Sequence, residues 1–377
     1  MQQLYFDYAA TTPIDDAVIT DMLSCMGRAS TFGNPASASH GFGQRARLAV
    51  ETAREQVAAL VGTQAGNIIW TSGATESNNL ALKGLAAKAG ERRHLITSTI
   101  EHKAVLDTVL QLQREGFEVT WLAPDRDGLI QPQAVAEALR GDTLAVSLML
   151  VNNELGTLTD IQAIGALVRA HGALLHVDAA QAAGKVAIDL ATLAVDLMSF
   201  SAHKSYGPKG IGALFVGERA RPCLGAQIHG GGHEQGLRSG TLATHQIVGM
   251  GSAFALAGAQ REAEWARLSG LSLDLRERLL ALPGVALNGH PTQRVPHTVN
   301  LCIGHPFFNM RQFSEQVAFS STSACNSASS GPSHVLRALG LSDAQASGSV
   351  RLSLGRYTTA QDVEQLVQII KGCLPGA

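Results

Sequence analysis

Two side chains that could act together on one ligand each lie at the end of a predicted apolar strand. Lys204 comes after the apolar run 197–200, in a loop of polar residues and glycines, where a lysine can be held over a ligand. Asp178 ends the strand-like segment 174–178. Taken alone, the lysine would be a solvated surface charge and the aspartate a turn or helix cap. Together they are the pair that pyridoxal 5'-phosphate (PLP) requires, a lysine for the Schiff base and an acid beside the pyridinium nitrogen.

A turn of small residues offers a place for a phosphate group. The segment 72–79 contains Gly73, Ala74 and Thr75 and lies between a predicted strand and a predicted helix. Free backbone N–H groups and the positive end of a helix favour a bound phosphate. Capping of the helix by Ser72 or Thr75 would explain the same residue types. The turn alone therefore predicts either a helix cap or a phosphate site.

Short apolar runs alternate with helical segments over much of the chain. The runs occupy residues 68–70, 94–100, 119–123, 144–151, 173–177, 197–200 and 211–216. Near-continuous apolar strands separated by helices predict a mainly parallel sheet covered on both faces. We therefore predict an α/β fold whose large PLP-binding domain, residues 15–255, is built on a mainly parallel seven-stranded sheet.

The C-terminal part of the chain has a different pattern. A long amphipathic helix is predicted from about Phe254 to Leu282, and strand-like segments are mixed with helices beyond it. We predict a smaller α+β domain formed by residues 1–14 and 256–377. No repeat, charge block or low-complexity linker separates the two domains in the sequence, so we expect them to pack tightly.

The composition limits the classes of function. The 377 residues are 45% hydrophobic and 16% charged, and the net charge of -2 gives no reason to expect binding to nucleic acid or a membrane surface. No apolar run approaches the roughly 20 residues that cross a bilayer, and the N-terminus lacks the pattern of a signal peptide, so we expect a cytoplasmic protein.

Five scattered cysteines without CxxC pairs argue against disulfides and a zinc site. His229 and His233, separated by glycines, have no acidic or thiol ligand cluster nearby, and no metal site is predicted.

Motifs along nearly the whole chain resemble those of the NifS/IscS type of cysteine desulfurase, within the class V aminotransferase superfamily. The matching segments, in the family's order, are 6–13, 32–37, 72–79, 101–105, 151–154, 176–181, 201–212, 230–241, 323–325 and 350–356. The resemblance implies the PLP-dependent fold of type I.

The resemblance also implies how the chain would bind PLP. Lys204 would form the Schiff base and later move the proton at the substrate α-carbon, and Asp178 would pair with the pyridinium nitrogen. His102, which by residue type alone is a cap or packing residue, would stack on the cofactor ring and assist proton transfer. The other cofactor-binding residues would be Ala74, Thr75, Asn153, Gln181, Ser201, His203 and, from the second subunit of an obligatory homodimer, Thr241.

An amino-acid substrate needs a group that binds its carboxylate. Arg351 can do so through two parallel hydrogen bonds, and the resemblance implies that Asn34 and Asn153 assist it. A salt bridge between the two domains is the other interpretation of Arg351.

Cys325 is the thiol to which the resemblance assigns the sulfur chemistry. It lies in a loop of small polar residues, at about 319–332, which we expect to be mobile and exposed. A mobile thiolate could attack the sulfur of a cofactor-bound cysteine and then hand on the persulfide. An idle thiol in an ordinary surface loop would have the same sequence. Cys223, close to Arg219 and Arg221, is the second candidate for a reactive thiol.

The implied activity is the conversion of L-cysteine to L-alanine, with sulfur passing to Cys325 and then to an acceptor protein. The sequence does not name the acceptor, and iron–sulfur cluster assembly, tRNA thiolation and the synthesis of thiamine or of the molybdenum cofactor are all open as uses of that sulfur. Housekeeping members dock the iron–sulfur scaffold with a longer C-terminal tail, so for a sequence that ends at Ala377 the resemblance does not extend to that contact.

Two alternatives share parts of this pattern. A selenocysteine lyase or an aminotransferase would have the same fold and cofactor, but an aminotransferase would have no use for a mobile thiol. A non-catalytic sulfur-trafficking subunit would keep the fold and lack the absorbance of the cofactor.

Overall fold

The computed structural model describes residues 3–304, 308, 310–321 and 331–374. Its strands are β1 Leu4–Tyr5, β2 Ile68–Thr71, β3 His94–Ser98, β4 Glu118–Leu122, β5 Thr143–Met149, β6 Leu174–Asp178, β7 Leu197–Ser201, β8 Gly212–Val216, β9 Val285–Asn288, β10 Thr298–Ile303, β11 Val317–Ala318, β12 Ser320–Ser321 and β13 Ser349–Ser353. Its helices are α1 Asp16–Leu23, α2 Gly41–Leu60, α3 Ala74–Ala86, α4 Lys103–Arg114, α5 Pro132–Ala138, α6 Ile161–His171, α7 Thr244–Leu280, α8 Met310–Gln316, α9 His334–Ala338, α10 Asp343–Ser347 and α11 Ala360–Gly372.

The largest sheet has seven strands in the order β2-β8-β7-β6-β5-β3-β4. Strand β8 is antiparallel to β2 and β7, and the other neighbouring strands are parallel to one another. Every residue of β3, β5, β6 and β7 is buried, because apolar clusters cover the sheet. The structure confirms the predicted mainly parallel seven-stranded sheet, with one strand for each predicted apolar run.

Three of the parallel strands, β5, β6 and β7, end side by side. In the register of the sheet, Met149 lies opposite Asp178 and Asp178 lies opposite Ser199. The chain leaves β7 through the 3₁₀ turn Ala202–Lys204. Ligands of open α/β sheets bind at the carboxyl ends of the strands, so this edge of the sheet is where a site is expected.

The C-terminal part of the chain contains a four-stranded antiparallel sheet in the order β12-β13-β10-β9. The N-terminal residues join this part, because β1 pairs with β11 and Asp7 forms a bridge to Ser353. A separate apolar cluster here includes Phe6, Phe313 and Leu352. These features agree with the α+β character predicted for this part of the chain, whereas its exact division from the large domain stays a prediction.

Helix α7 passes through the predicted domain boundary at residue 255 as one continuous helix. It begins at Thr244, earlier than the predicted start near Phe254, and ends at Leu280. Although α7 is long, neither it nor any other helix in the described ranges is apolar enough to cross a membrane.

Candidate active site

A cavity of about 610 Å³ opens at the carboxyl ends of β5, β6 and β7. Its walls include the predicted site residues Ala74, Thr75, His102, Asn153, Asp178, Gln181, Ser201, His203, Lys204 and Arg351. Of the other candidates, Asn34 and Thr241 do not line it in this chain, and Cys325 lies outside the described residues. A larger, more open groove of about 960 Å³ beside α3 and α4 shares Thr75 and His102 but lacks Lys204 and Asp178. The smaller cavity is therefore the one that brings the predicted site residues together.

The turn that carries Lys204 is held by the N-terminal segment of the chain. Lys204 Nζ donates to the carbonyl oxygens of Ala9 and Ala10 at 2.6 and 2.8 Å. The backbone N–H of Thr12 donates to the carbonyl oxygen of His203 at 3.0 Å, which fixes the chain just before the lysine. The half-buried ammonium group thus has a defined place in the cavity wall.

Asp178 ends β6 with hydrogen bonds to both of its carboxylate oxygens. Asn78 Nδ2 donates to Oδ2 at 2.7 Å, and the backbone N–H of Ala180 donates to Oδ1 at 2.9 Å. Asp178 and Asn78 are both buried, so the carboxylate has one fixed orientation at the cavity wall. Sequence reasoning missed Asn78, although its i, i+4 spacing from Ala74 along α3 was a signal that could have found it.

Gln181 is placed beside the same N-terminal segment. Its Nε2 donates to the carbonyl oxygen of Ala9 at 2.8 Å, and its Oε1 accepts from Lys185 Nζ at 3.0 Å. The two bonds fix which end of the amide faces Lys185. An amide nitrogen has two hydrogens, so one remains for a ligand bound in the cavity.

His102 is the N-cap of α4, as its residue type alone predicted. Its Nδ1 accepts the backbone N–H of Ala104 at 3.1 Å, so the proton of the neutral ring is on Nε2. Solvent reaches the His102 ring through the cavity. The surrounding protein nevertheless removes enough water from the ring to lower its pKa. The positive charges of Lys204 and Arg351 act in the same direction, and Asp178 opposes them. A neutral ring at the cavity is the result.

Glu101, next to His102, is a buried carboxyl group to which sequence reasoning gave no role. Ser98 Oγ donates to Glu101 Oε1 at 2.6 Å, whereas Oε2 has no hydrogen-bond partner among the described residues. Burial, more than the nearby charge of Asp178, raises the pKa of Glu101 to about 8. The group is therefore protonated at neutral pH and adds no second negative charge beside Asp178.

Arg351 connects the C-terminal sheet to the cavity. Its Nη2 pairs with Asp7 Oδ1 at 2.9 Å, and its Nη1 donates to the carbonyl oxygen of Asn153 at 2.9 Å. Asp7 and Arg351 both belong to the predicted small domain, so this ion pair is not the salt bridge between the two domains that the other interpretation of Arg351 required. A guanidinium group has five N–H donors, and these contacts leave others for a ligand. Arg351 Nε and Asn153 Oδ1 are both buried without a partner in the described part of the chain.

The first turn of α3 has no side-chain cap. Its N-cap is Gly73, whose φ of 152° is unfavourable for other residues and which has no side chain to accept a hydrogen bond. Glu76 accepts the backbone N–H of Ser72 at 2.7 Å and pairs with Arg238 at 2.8 Å. Capping by Ser72 or Thr75, which the sequence left open, is not observed. The N–H groups at the start of α3 are therefore available to an anion.

His203 lies in cationic surroundings that suit an anion. Its Nδ1 contacts Thr11 Oγ1 at 3.2 Å. Burial, followed by the charges of Lys204, Lys209 and Lys185, lowers its pKa to about 4. The lysine charges that disfavour a protonated histidine favour a bound phosphate at the same place.

The residues around the cavity fit PLP. The amine of Lys204 and the carboxylate of Asp178 both face it, and the uncapped start of α3 and the cationic surroundings of His203 also lie at its wall. These are the three kinds of group that bind the aldehyde carbon, the ring nitrogen and the phosphate of this cofactor.

The two remaining candidates lie away from the cavity. Asn34 is exposed, and its Oδ1 accepts the backbone N–H of Ala36 at 2.9 Å. Thr241 is also exposed, in the segment that follows the buried Glu234, whose carboxylate forms two hydrogen bonds with Arg54 at 2.7 and 2.9 Å. A role for Thr241 in a partner subunit and for Asn34 in substrate binding stays a prediction.

The chain matches the family Aminotransferase class-V over residues 4–366. It is 58% identical over 363 residues to the cysteine desulfurase IscS of Azotobacter vinelandii, and this alignment covers 96% of this chain and 90% of the relative. It is 56% identical over 374 residues to the cysteine desulfurase IscS of Acinetobacter baumannii (strain AYE), and this alignment covers 98% of this chain and 92% of the relative.

Solved structures share the fold over nearly the whole chain. A NifS-like protein superposes with a TM-score of 0.89 at 34% identity, covering 98% of this chain and 99% of its own. The structure of SspA in complex with cysteine gives a TM-score of 0.84 at 40% identity, covering 95% of this chain and 100% of its own. The likeness confirms the predicted fold class.

Proposed function

Because the chain belongs to the aminotransferase class-V family, as its motifs predicted, we propose that it is a PLP-dependent cysteine desulfurase. It converts L-cysteine to L-alanine and receives the sulfur as a persulfide. The relatives named cysteine desulfurase IscS, at 56% and 58% identity over nearly the whole chain, support this activity. The single observation that carries the proposal is the cavity at which Lys204, Asp178 and Arg351 meet.

The cavity residues divide the binding of PLP among them. Lys204 provides the amine for the Schiff base, Asp178 the acid for the pyridinium nitrogen, and His203 with the start of α3 the phosphate site. When bound, PLP withdraws electrons from the substrate α-carbon. Glu101 supports this division because its protonated carboxyl group puts no second negative charge beside Asp178. The remaining cofactor-binding residues are Ala74, Thr75, Asn153, Gln181 and Ser201.

The substrate carboxylate binds at the side of the cavity formed by the C-terminal sheet. Arg351 has N–H donors that are not used in its bonds to Asp7 and Asn153, and these can bind the carboxylate. Its charge is buried at the cavity wall, where an anion is bound more strongly than in water. Asn153 lines the same cavity, and Asn34, which does not line it in this chain, is included in the proposal as the resemblance implies.

Proton transfer at the substrate α-carbon is assigned to Lys204. Its Nζ takes the proton from this carbon, and the carbonyl oxygens of Ala9 and Ala10 hold the resulting ammonium group, as they do in this structure. His102 contributes a neutral ring at the cavity wall, with its Nδ1 fixed by the helix α4 and its proton on Nε2.

The sulfur step is assigned to Cys325, which lies outside the described residues. Its thiolate attacks the substrate sulfur and forms the S–S bond of a persulfide while the Cβ–S bond of the substrate breaks. The electron pair of the broken bond stays with carbon, which is protonated to give the methyl group of L-alanine. The outer sulfur then passes to the thiolate of an acceptor protein, for iron–sulfur cluster assembly or tRNA thiolation.

The proposal includes a cytoplasmic homodimer. The exposed Thr241 would complete the phosphate site of the partner subunit, which agrees with its position away from the cavity of its own chain. The net charge of -2 supports a protein rather than a nucleic acid as the acceptor.

Chemical trapping of the cofactor tests the proposal. The protein is loaded with PLP, reduced with borohydride and digested, and the modified residue is located by mass spectrometry. We expect the label on Lys204, and we expect the unreduced protein to form L-alanine from L-cysteine without an α-keto acid. A label on another lysine, or a requirement for an α-keto acid, would contradict the proposal.

A further inference from the structure

A buried hydrogen bond joins the start of α9 to a turn at the cavity wall. Ser333 Oγ lies 2.5 Å from Glu154 Oε2, and the two residues are only 1% and 6% exposed. Ser333 is also the N-cap of α9, and its oxygen accepts the backbone N–H groups of Val335 and Leu336 at 3.1 and 3.2 Å. Because the oxygen is already an acceptor twice, its hydrogen is directed to Glu154.

Glu154 belongs to a turn that two further sets of hydrogen bonds hold in place. Asn152 Oδ1 accepts the backbone N–H of Glu154 at 2.9 Å, and Asn152 Nδ2 donates to the carbonyl oxygen of Ile100 at 3.0 Å. The carbonyl oxygen of Glu154 accepts from Asn300 Nδ2 at 3.1 Å. The turn 152–154 is thereby tied to the loop that precedes His102 and to strand β10.

The middle residue of this turn is Asn153, which touches the cavity. Its carbonyl oxygen accepts from Arg351 Nη1 at 2.9 Å, and its side-chain oxygen is buried without a partner among the described residues. A shift of Glu154 therefore changes the position of Asn153 and, through its carbonyl oxygen, of Arg351.

The start of α9 touches the cavity loops at a second point. His334 Nε2 lies 3.0 Å from the carbonyl oxygen of Glu101, the residue before His102. Two consecutive residues, Ser333 and His334, thus contact the neighbours of two residues that line the cavity. This double contact distinguishes the start of α9 from that of α10, whose N-cap Ser342 bonds within its own helix.

We propose that Glu154, held by Ser333, is a positioning residue that fixes Asn153 and Arg351 for the carboxylate of the amino-acid substrate. The proposal rests on the function proposed above, because it assumes that Arg351 binds this carboxylate. The hydrogen bond, rather than the charge of Glu154, carries the effect. Burial raises the pKa of Glu154, and a carboxyl group in either protonation state can accept the hydrogen of Ser333.

Binding of L-alanine, measured without turnover, tests the proposal. The PLP-loaded protein is titrated with L-alanine, and the change in cofactor absorbance gives the Kd. We expect Ser333→Ala to raise the Kd about tenfold, the equivalent of one lost hydrogen bond, with unchanged absorbance before the titration. Ser342→Ala, which removes the cap of α10, is the matched control, and its Kd should equal that of wild type. Glu154→Gln keeps an acceptor oxygen and should stay within about twofold of wild type.

A Kd for Ser333→Ala equal to that of wild type would overturn the proposal, as would an equally large loss in Glu154→Gln. Hydrogen exchange of the backbone amides of residues 151–158 separates this proposal from the proposed function, since it needs no substrate. Faster exchange in Ser333→Ala than in Ser342→Ala supports the positioning role, and equal exchange contradicts it. Failure of wild type to form L-alanine from L-cysteine would instead contradict the proposed function.

Discussion

Asn78 donates its side-chain amide hydrogen to Asp178 across 2.7 Å, in a place where both residues are buried. Asn78 lies one helical turn after Ala74, the first residue of α3. The same helix therefore offers uncapped N–H groups at its start and holds the acid of the site one turn later. In the proposed enzyme, α3 fixes the separation between the phosphate site and the partner of the ring nitrogen.

Replacement of Asp178 tests its electrostatic role. Asp178→Asn keeps the size of the side chain and the acceptor for Ala180, but it removes the charge that would face the ring nitrogen. We expect L-alanine formation to fall by about 10² to 10³-fold, as for the loss of other preorganised electrostatic groups. Rates are measured at saturating PLP, with circular dichroism as the check on folding. Activity within a few-fold of wild type would show that this carboxylate is not the partner of the ring nitrogen.

Removal of Asn78 tests the support of that acid. Asn78→Ala leaves a buried oxygen of Asp178 without its donor, so we expect a loss of about 1 to 3 kcal/mol in the free energy of unfolding. Urea unfolding at a fixed PLP concentration measures the loss. Asn79→Ala, on the same helix, is a control, because among the described residues the Asn79 side chain bonds only to the backbone of Thr75. Equal stability of the two variants would contradict the assigned role of Asn78.

The buried carboxyl group of Glu101 makes stability depend on pH. Burial raises its pKa from 4.5 to about 8, so between these values the folded protein keeps a proton that the unfolded chain has released. The contribution of Glu101 to stability is therefore present at low pH and is lost as the pH rises toward 8. Glu101→Gln has no titrating group at this position.

We expect the free energy of unfolding of wild type, minus that of Glu101→Gln, to decrease as the pH is raised from about 5 to about 8. The decrease should be on the order of a few kcal/mol and should level off at higher pH. Urea unfolding across this range gives the difference directly. His176, whose pKa burial lowers to about 4, is present in both proteins, so its own acid-range effect cancels. A difference that does not change with pH would refute the assignment.

The ion pair of Arg54 and Glu234 is buried and anchors the segment that leads to Thr241. Glu234 Oε2 also accepts the backbone N–H of Trp70 at 2.7 Å. Glu234→Leu leaves a buried guanidinium group and a backbone donor without this partner, so we expect a loss of about 3 to 5 kcal/mol in the free energy of unfolding. The exposed ion pairs of Arg140 with Glu118 and Asp142 are the control, since Arg140→Ala should cost far less stability than Glu234→Leu. Similar losses in the two variants would contradict this ranking.

The parts of the site that sequence alone predicted lie at the ends of strands. Asp178 and Lys204 follow buried apolar runs, and parallel strands bring their carboxyl ends to one edge of a sheet. Apolar runs and strand-end residues are local features, so the sequence was sufficient to predict the sheet and to place Asp178 and Lys204 at one edge of it.

The contacts that hold these residues depend on distant parts of the chain and could not be predicted. Lys204 bonds to Ala9 across 195 positions, and Ser333 bonds to Glu154 across 179. The residue types at these positions are compatible with many other roles. Only the packing of the elements decides which carbonyl group or carboxylate each donor meets.

The early start of α7 has a comparable cause. Glycines inside a helix weaken the helical signal, and Gly249 and Gly251 lie in its first part. Added Cβ atoms there would come within 2.8 Å of Met22 and 2.6 Å of Ala53. These glycines are required by close packing on the neighbouring α1 and α2, which only the tertiary structure shows.

The central claim is that the protein takes sulfur from L-cysteine through Cys325. The most direct test compares wild type with Cys325→Ala, both loaded with PLP, for release of sulfide and L-alanine from L-cysteine in the presence of a reductant. We predict equal amounts of alanine and sulfide from wild type, and neither product from Cys325→Ala, although the variant binds the cofactor with the same absorbance. Undiminished turnover in Cys325→Ala would show that this residue is not the sulfur carrier and would contradict the account.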